Sequence, residues 1–138
     1  MYPEELVAPM RTDLSSVGFK ELTTPAQVDE VLNKKEGTTL VVVNSVCGCA
    51  ARMARPAVKI ALQSSPKGPN TLTTVFAGVD TEATAQARNY MLPYPPSSPS
   101  IALFKDGKLV HFIERHQIEG RPAEMIAENL TAAFEEFC

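Results

Sequence analysis

The chain has 138 residues, 44% of them apolar and 21% charged, with a formal net charge of −3. Such a chain is expected to form one domain over residues 1–138, with a core large enough to need no disulfide staples. The slightly acidic balance offers no basic field for nucleic acid or an anionic membrane surface, and three cysteines are too few for a disulfide framework.

The first stretch, MYPEELVAPMRTDL, carries acids early and lacks a long apolar centre, so it does not read as a secretory signal. From PEEL to Gly18 the pattern is that of a short amphipathic helix. A second helix is expected in TTPAQVDEVLNKKEG, with Thr24 as N-cap, Pro25 at the first helical position and Gly37 as the stop. TTLVVVNSV is β-branched and nearly all apolar, which suits a central strand covered on both faces. Its run LVVV is the longest aliphatic stretch, far short of a membrane span, and the expected location is the cytoplasm.

A helix then starts at or just after Cys47 and runs to about Gln63. Pro56 falls inside it and removes one hydrogen bond, so a kink is expected there. SSPKGPN is a loop, TLTTVFAGVD a strand, and DTEATAQARNYML a helix capped by Asp80 or Thr81. PYPPSSPS is a proline-rich loop. SIALFKDGKLVHFIER is a hairpin turning at Asp106–Gly107. QIEGRP is a turn in which Gly120 permits a positive φ, and RPAEMIAENLTAAFEEFC closes the chain as a helix. Strand, helix, strand, helix, hairpin, helix describes an α/β sandwich on a mixed sheet.

Chemistry concentrates in Cys47-Gly48-Cys49. Cys47 stands where a buried strand hands over to a helix. Unpaired N–H groups and the positive dipole end at that point stabilise a thiolate, which is the nucleophilic form of cysteine. Gly48 carries no side chain and leaves room for an incoming disulfide. Cys49 is near enough to attack a mixed disulfide formed on Cys47. A ring closed by Cys-x-Cys is strained, and strained disulfides are labile. Two other roles compete: small buried hydrophobes, and metal ligands completed by Cys138, His111 or His116.

Further candidates flank the pair. Asn44 is the polar residue of the apolar strand, suited to a strand-end hydrogen bond or to orienting the site. Arg52 and Arg55 come next on the helix. The expectation for both is a solvated face, the alternative a positive field or grip on an anionic thiol. His116 is read as a surface residue that could reach the site, and Cys138 as an incidental terminal thiol.

SPSIALFKDGKLV resembles the thioredoxin-fold segment in which a cis-proline is followed by a hydroxyl residue, apolar residues, a turn and a returning strand. On that likeness Pro99 is the cis-proline facing the cysteines, with Ser98 before it, and both would bind substrate beside Gly48. MYPEELVAPMRTDL, NSVCGCAARMARPA, PPSSPSIALFKDG and HFIERHQIEGR, taken in order, resemble the bacilliredoxin family over nearly the full length. The resemblance implies a thioredoxin-like three-layer sandwich with a mixed central sheet flanked by helices. It implies Cys47 as nucleophile and Cys49 as second site cysteine of a thiol–disulfide oxidoreductase. Its substrates would be S-thiolated cytosolic proteins, with bacillithiol or a similar low-molecular-weight thiol as co-substrate. No bound cofactor, metal, nucleic acid or membrane is expected. A general disulfide reductase or isomerase and a thiolate metal-binding protein are the alternative functions. The chain departs from ordinary thioredoxins in having Cys-x-Cys for Cys-x-x-Cys and no tryptophan before it. No acid in the preceding strand offers itself as proton acceptor.

Overall fold

A five-stranded mixed sheet organises the chain in the computed structural model, which describes residues 2–138. Its strands are β1 (Lys20–Glu21), β2 (Thr38–Asn44), β3 (Thr71–Phe76), β4 (Ser100–Lys105) and β5 (Lys108–Ile113), in spatial order β1-β3-β2-β4-β5. The helices are α1 (Glu4–Ser15), α2 (Pro25–Leu32), α3 (Arg55–Ser64), α4 (Thr81–Asn89), α5 (Arg115–Ile118) and α6 (Ala123–Phe137). β2 runs parallel to β3 and antiparallel to β4.

All seven residues of β2 are buried, because both faces of the sheet are covered. Alternation sends Leu40 and Val42 toward α3 and α6, where they meet Val58, Ala61, Leu130 and Phe134. Val41 and Val43 point the other way and join Val28 and Val31 of α2 and Ala83 and Ala87 of α4. One strand therefore carries both halves of the core. The small residues Ala54, Ala57 and Ala61 are fully buried in the layer that contains α6.

Most expected elements are present, with instructive shifts. α2 has the expected cap: Thr24 accepts from the N–H of Gln27, and Gln27 reaches back in a capping box. The helix ends at Leu32, however, five residues before Gly37. Gly37 instead opens β2 with φ +86° and exchanges hydrogen bonds with Asp106 of the distant hairpin turn. Asp80 precedes α4 without capping it, because its carboxylate is taken by Arg11 of α1. Two elements lack a strong local pattern: β1, a two-residue edge strand beside β3, and the single turn α5. Asp106 and Gly107 have φ of 52° and 82°, the double left-handed geometry of a tight hairpin turn.

Pro56 neither ends its helix nor stands in a regular interior. The helix begins at Gly48 and widens into a π turn over Ala50–Ala54, in which the Arg55 N–H donates to the Ala50 carbonyl. α3 continues from there with Pro56 as its second residue, and the widened turn just ahead of it accommodates the ring and the missing N–H.

The buried guanidinium of Arg55 ties three segments together. Its Nε donates to Asp13 of α1 at 2.9 Å, and its Nη1 donates to Asn44 Oδ1 at 2.8 Å and to the Ser45 carbonyl at 3.1 Å. Arg55 is 5% exposed, so the solvated face expected for it is wrong; Arg52 alone is exposed. The π turn directly before Arg55 changes the helical phase on which a solvated face was expected. Burial pushes the Asp13 carboxyl up, but hydrogen bonds from Lys59 and Arg55 hold it below its ordinary value.

A lowered folded-state value stabilises the fold above the carboxyl's unfolded value and loses that contribution as pH falls through the folded one. Asp13→Asn should therefore lower the urea midpoint at pH 7. The gap from the unsubstituted chain should close as the pH falls below about 4. Urea melts across that range check it, and a gap of constant size would refute the role of the Asp13 charge.

Candidate active site

β2 delivers the chain to the cysteines at the end of its last rung. The Asn44 carbonyl accepts from Ala77, closing the ladder with β3. The Asn44 side chain then does two jobs: its Nδ2 donates to the Met10 carbonyl, and its Oδ1 accepts from the Ser45 N–H at 2.9 Å. Both uses foreseen for Asn44 thus occur together, a strand-end bond and orientation of Ser45 at the approach to the site. Ser45 is buried, and its hydroxyl donates to Cys47 Sγ at 3.1 Å. The Cys47 carbonyl accepts from Ala50 and Ala51, which places Cys47 at the helix start.

The two thiols are free, half-buried and electrostatically opposite. Burial pushes the Cys47 thiol up, but the Ser45 hydroxyl, the N–H groups of Ala50 and Cys49 and the Cys49 thiol outweigh it, and the net direction is down. Cys49 goes the other way. Burial, its 3.5 Å hydrogen bond to Glu119 and the negative charge of Cys47 all raise it. Of the two, Cys47 is therefore the thiol that ionises first, and Cys49 keeps its proton to higher pH.

The region after β5 supplies groups that the sequence did not advertise. Arg115 Nη1 donates to the Ser98 carbonyl at 3.1 Å, its Nε donates to Glu119 at 2.9 Å, and its Nη2 lies 3.9 Å from Cys49 Sγ. Arg115 and the Cys49 thiol in turn hold the Glu119 carboxyl below its ordinary value. The Ser98–Pro99 bond is cis, as the segment likeness implied, and Leu92–Pro93 is cis as well. Pro99 is buried, while Ser98 shares with Cys47 a cavity of about 300 Å³. Its further lining includes Tyr2, Ser45, Gly78, Arg88 and Arg115.

Two expectations need revision. The Ser98 carbonyl is not wholly free for a substrate strand, because Arg115 already occupies one of its acceptor positions. The space over Gly48 is not open either: a Cβ there would lie 3.5 Å from Nη2 of Arg52. The cover is the tip of a flexible, exposed side chain, so it can move aside. His116 is paired with Glu114 rather than with either site thiol, and Cys138 is exposed at the end of α6. Among the described residues, no group of three or more His, Cys, Asp and Glu side chains is placed to hold a metal ion.

Ser45, Arg88, Arg115 and Glu119 had escaped the sequence reading. Only Ser45 had a local signal, a hydroxyl two residues before a helix-starting cysteine. The others reach the site through tertiary folding.

Fold and site together place the protein in the class of thioredoxin-fold thiol–disulfide oxidoreductases. Comparison with known proteins narrows it. A family model described as "Disulphide isomerase" matches residues 2–138. A bacilliredoxin of Cytophaga hutchinsonii is 62% identical over 136 residues, covering 99% of each chain. A bacilliredoxin of Bacillus licheniformis is 56% identical over 137 residues, covering 99% of this chain and 95% of the relative. Among solved structures, the Fasciola hepatica thioredoxin superposes with a TM-score of 0.58 at 19% identity, covering 87% of this chain and 100% of that one, a likeness of fold. The chain belongs to the bacilliredoxin family.

The opposed shifts predict two alkylation profiles. Cys47 should react with a pH midpoint below the ordinary cysteine value of about 8.5, and Cys49 with one above it. Ser45→Ala should move the Cys47 midpoint up, since it deletes a donor to the thiolate. Site-resolved mass spectrometry after timed iodoacetamide exposure measures both, and a Cys49 midpoint below that of Cys47 would reverse the assignment. Glu119→Gln should lower the Cys49 midpoint, because the carboxylate is one of the groups that raise it. An unmoved midpoint in that variant would remove Glu119 from the site.

Proposed function

We propose that the protein removes bacillithiol, or a similar low-molecular-weight thiol, from mixed disulfides on cytosolic proteins. The observation that carries this reading is the asymmetry of the pair: the Ser45 hydroxyl donates to Cys47 Sγ and the net pull on that thiol is downward, while Cys49 is hydrogen-bonded to the Glu119 carboxylate and pushed up. The relatives' shared name and the full-length likeness support the choice of small thiol. No helix of the described residues is long and apolar enough to cross a membrane, which is compatible with substrates in the cytoplasm.

The Cys47 thiolate attacks the small-thiol sulfur of a protein mixed disulfide. A bond forms between Cys47 and the small thiol, and the protein cysteine leaves as a thiolate that takes a proton from solvent. The Ser98 carbonyl, Pro99 and Gly48 border the approach, with Arg52 displaced from above Gly48. Consumption of the Cys47 charge removes one of the causes that kept Cys49 protonated. Cys49 then loses its proton to solvent, with Arg115 close by to stabilise the thiolate. It attacks Cys47 Sγ, a Cys47–Cys49 disulfide forms, and the small thiolate departs. Two molecules of small thiol restore the dithiol and leave as their own disulfide. Alternatively, one small-thiol molecule attacks the small-thiol sulfur of the adduct, leaves with it as their disulfide, and frees the Cys47 thiolate.

A second reading, general disulfide reduction or isomerisation, is favoured by the description of the matching family. It uses the same two cysteines. The two readings separate on substrate: reactivation of a protein with scrambled disulfides, faster than release of a small thiol, would favour the second.

The proposal predicts unequal cysteine variants. With a bacillithiolated protein substrate, Cys49→Ala should accumulate the Cys47 adduct, seen as a mass increase of one small thiol. Cys47→Ala should acquire none. An adduct on Cys47→Ala as abundant as on the unsubstituted chain would remove Cys47 as the attacking group.

A further inference from the structure

Arg88 stands in the last turn of α4 and lines the cavity beside Cys47. A guanidinium offers five N–H donors. Here Nη2 makes one long bond to the Ser97 carbonyl, at 3.4 Å, and among the described residues the buried Nε has no partner at all. Burial lowers the affinity of Arg88 for its proton, and among the described residues no carboxylate lines the cavity to offset the charge. Arg115 contributes a second guanidinium to the same walls. Arg115 is already paired with Glu119, so the cavity of about 300 Å³ beside Cys47 holds one guanidinium, that of Arg88, without a carboxylate partner, an arrangement suited to an anion. The volume is at the small end of ligand pockets and suits part of a small molecule rather than a protein loop.

Elsewhere the buried or half-buried guanidiniums are matched: Arg55 by Asp13, and Arg11 by Asp80 and Glu21. Arg88 is the exception, and it borders the cavity that also holds the reactive thiol. Planar guanidiniums bind carboxylates bidentately and most strongly where water is scarce.

We propose that Arg88, with Arg115, forms a carboxylate-binding subsite for the acidic end of the small thiol that becomes attached to Cys47. This rests on the reading of Cys47 given under the proposed function. The subsite selects which mixed disulfides are opened: those of carboxylate-bearing thiols. Arg88 anchors the carboxylate while the thiol sulfur meets Cys47. Arg115 links that anchor to the Ser98 carbonyl and to Cys49.

The test uses the Cys49→Ala chain, which retains Cys47, and one peptide thiol carrying in turn glutathione, 3-mercaptopropionate, 2-mercaptoethanol or cysteamine as its mixed disulfide. Rates of adduct formation on Cys47 are read by mass spectrometry. The two carboxylate-bearing disulfides should react about tenfold faster than the neutral one and faster still than the cationic one, the size of effect expected from a charge-assisted hydrogen-bond pair. Arg88→Gln should collapse the ratio of acidic to neutral rates, and Arg88→Lys should restore part of it. Should Arg88→Gln fail to fold, the same ratio is read on the arginine-containing chain as potassium chloride is raised, where it should fall through screening. Equal rates for all four disulfides overturn the subsite while leaving the Cys47 reading intact. So does a ratio unchanged by both Arg88→Gln and salt. Absence of a Cys47 adduct with every disulfide overturns the underlying reading, and the subsite falls with it.

Discussion

The guanidinium of Arg55 is the contact on which the site's geometry depends. From the helix beyond the cysteines it touches α1, the end of β2 and the loop leading to Cys47. Asn44 Oδ1 accepts from both Arg55 and the Ser45 N–H, so the orientation of the serine is coupled to the buried charge. Ser45 then aims its hydroxyl at Cys47 Sγ. A buried cation requires an opposite charge and filled acceptors, and Asp13 with these carbonyl groups meets that requirement. A charged network in the fold thus prepares a neutral hydroxyl to stabilise a thiolate.

The second constraint is the burial of β2 on both faces. A strand enclosed between two helical layers cannot shift register without sending Leu40 and Val42 into the wrong half of the core. Its end point is therefore fixed, and so is the place where the backbone turns into the helix. The π turn adapts that helix to Pro56 and brings Arg55 inward. Rigid placement of Cys47 and the mobile cover of Gly48 by Arg52 coexist within two residues, which suits a nucleophile that must be held in place yet reached by a bulky disulfide.

The opposed thiol shifts give the chemistry an order. While Cys47 is charged it helps keep Cys49 protonated, so the attacking and resolving thiols do not compete. Covalent capture on Cys47 removes that influence. The same electrostatic coupling that holds the second thiol in reserve then releases it, with Arg115 already beside it. Glu119 sets the threshold from the other side, through one hydrogen bond to Cys49 and one from Arg115.

Much of this was legible in the chain itself. The continuous apolar run of β2, the Thr24–Pro25 helix start, the Asp106–Gly107 turn and the Cys-Gly-Cys at a strand-to-helix junction are local patterns, and local patterns survive in a sequence because neighbouring residues enforce them. The likeness of four ordered segments carried the fold and the family. Other features had no local cause. Gly37 was legible as a breaker but not as the partner of Asp106, and Asp80 as a cap but not as the counterion of Arg11, since both are claimed by residues 69 positions away. Arg55 looked like one more solvated helix residue until a π turn rotated it into the core. The sequence by itself determined the elements, the paired thiols and the class of chemistry they suit. Only the tertiary structure decided which groups hold Cys49 protonated and which arginines face the pair, because electrostatic energies depend on distances through space and on burial, and neither is set by separation along the chain.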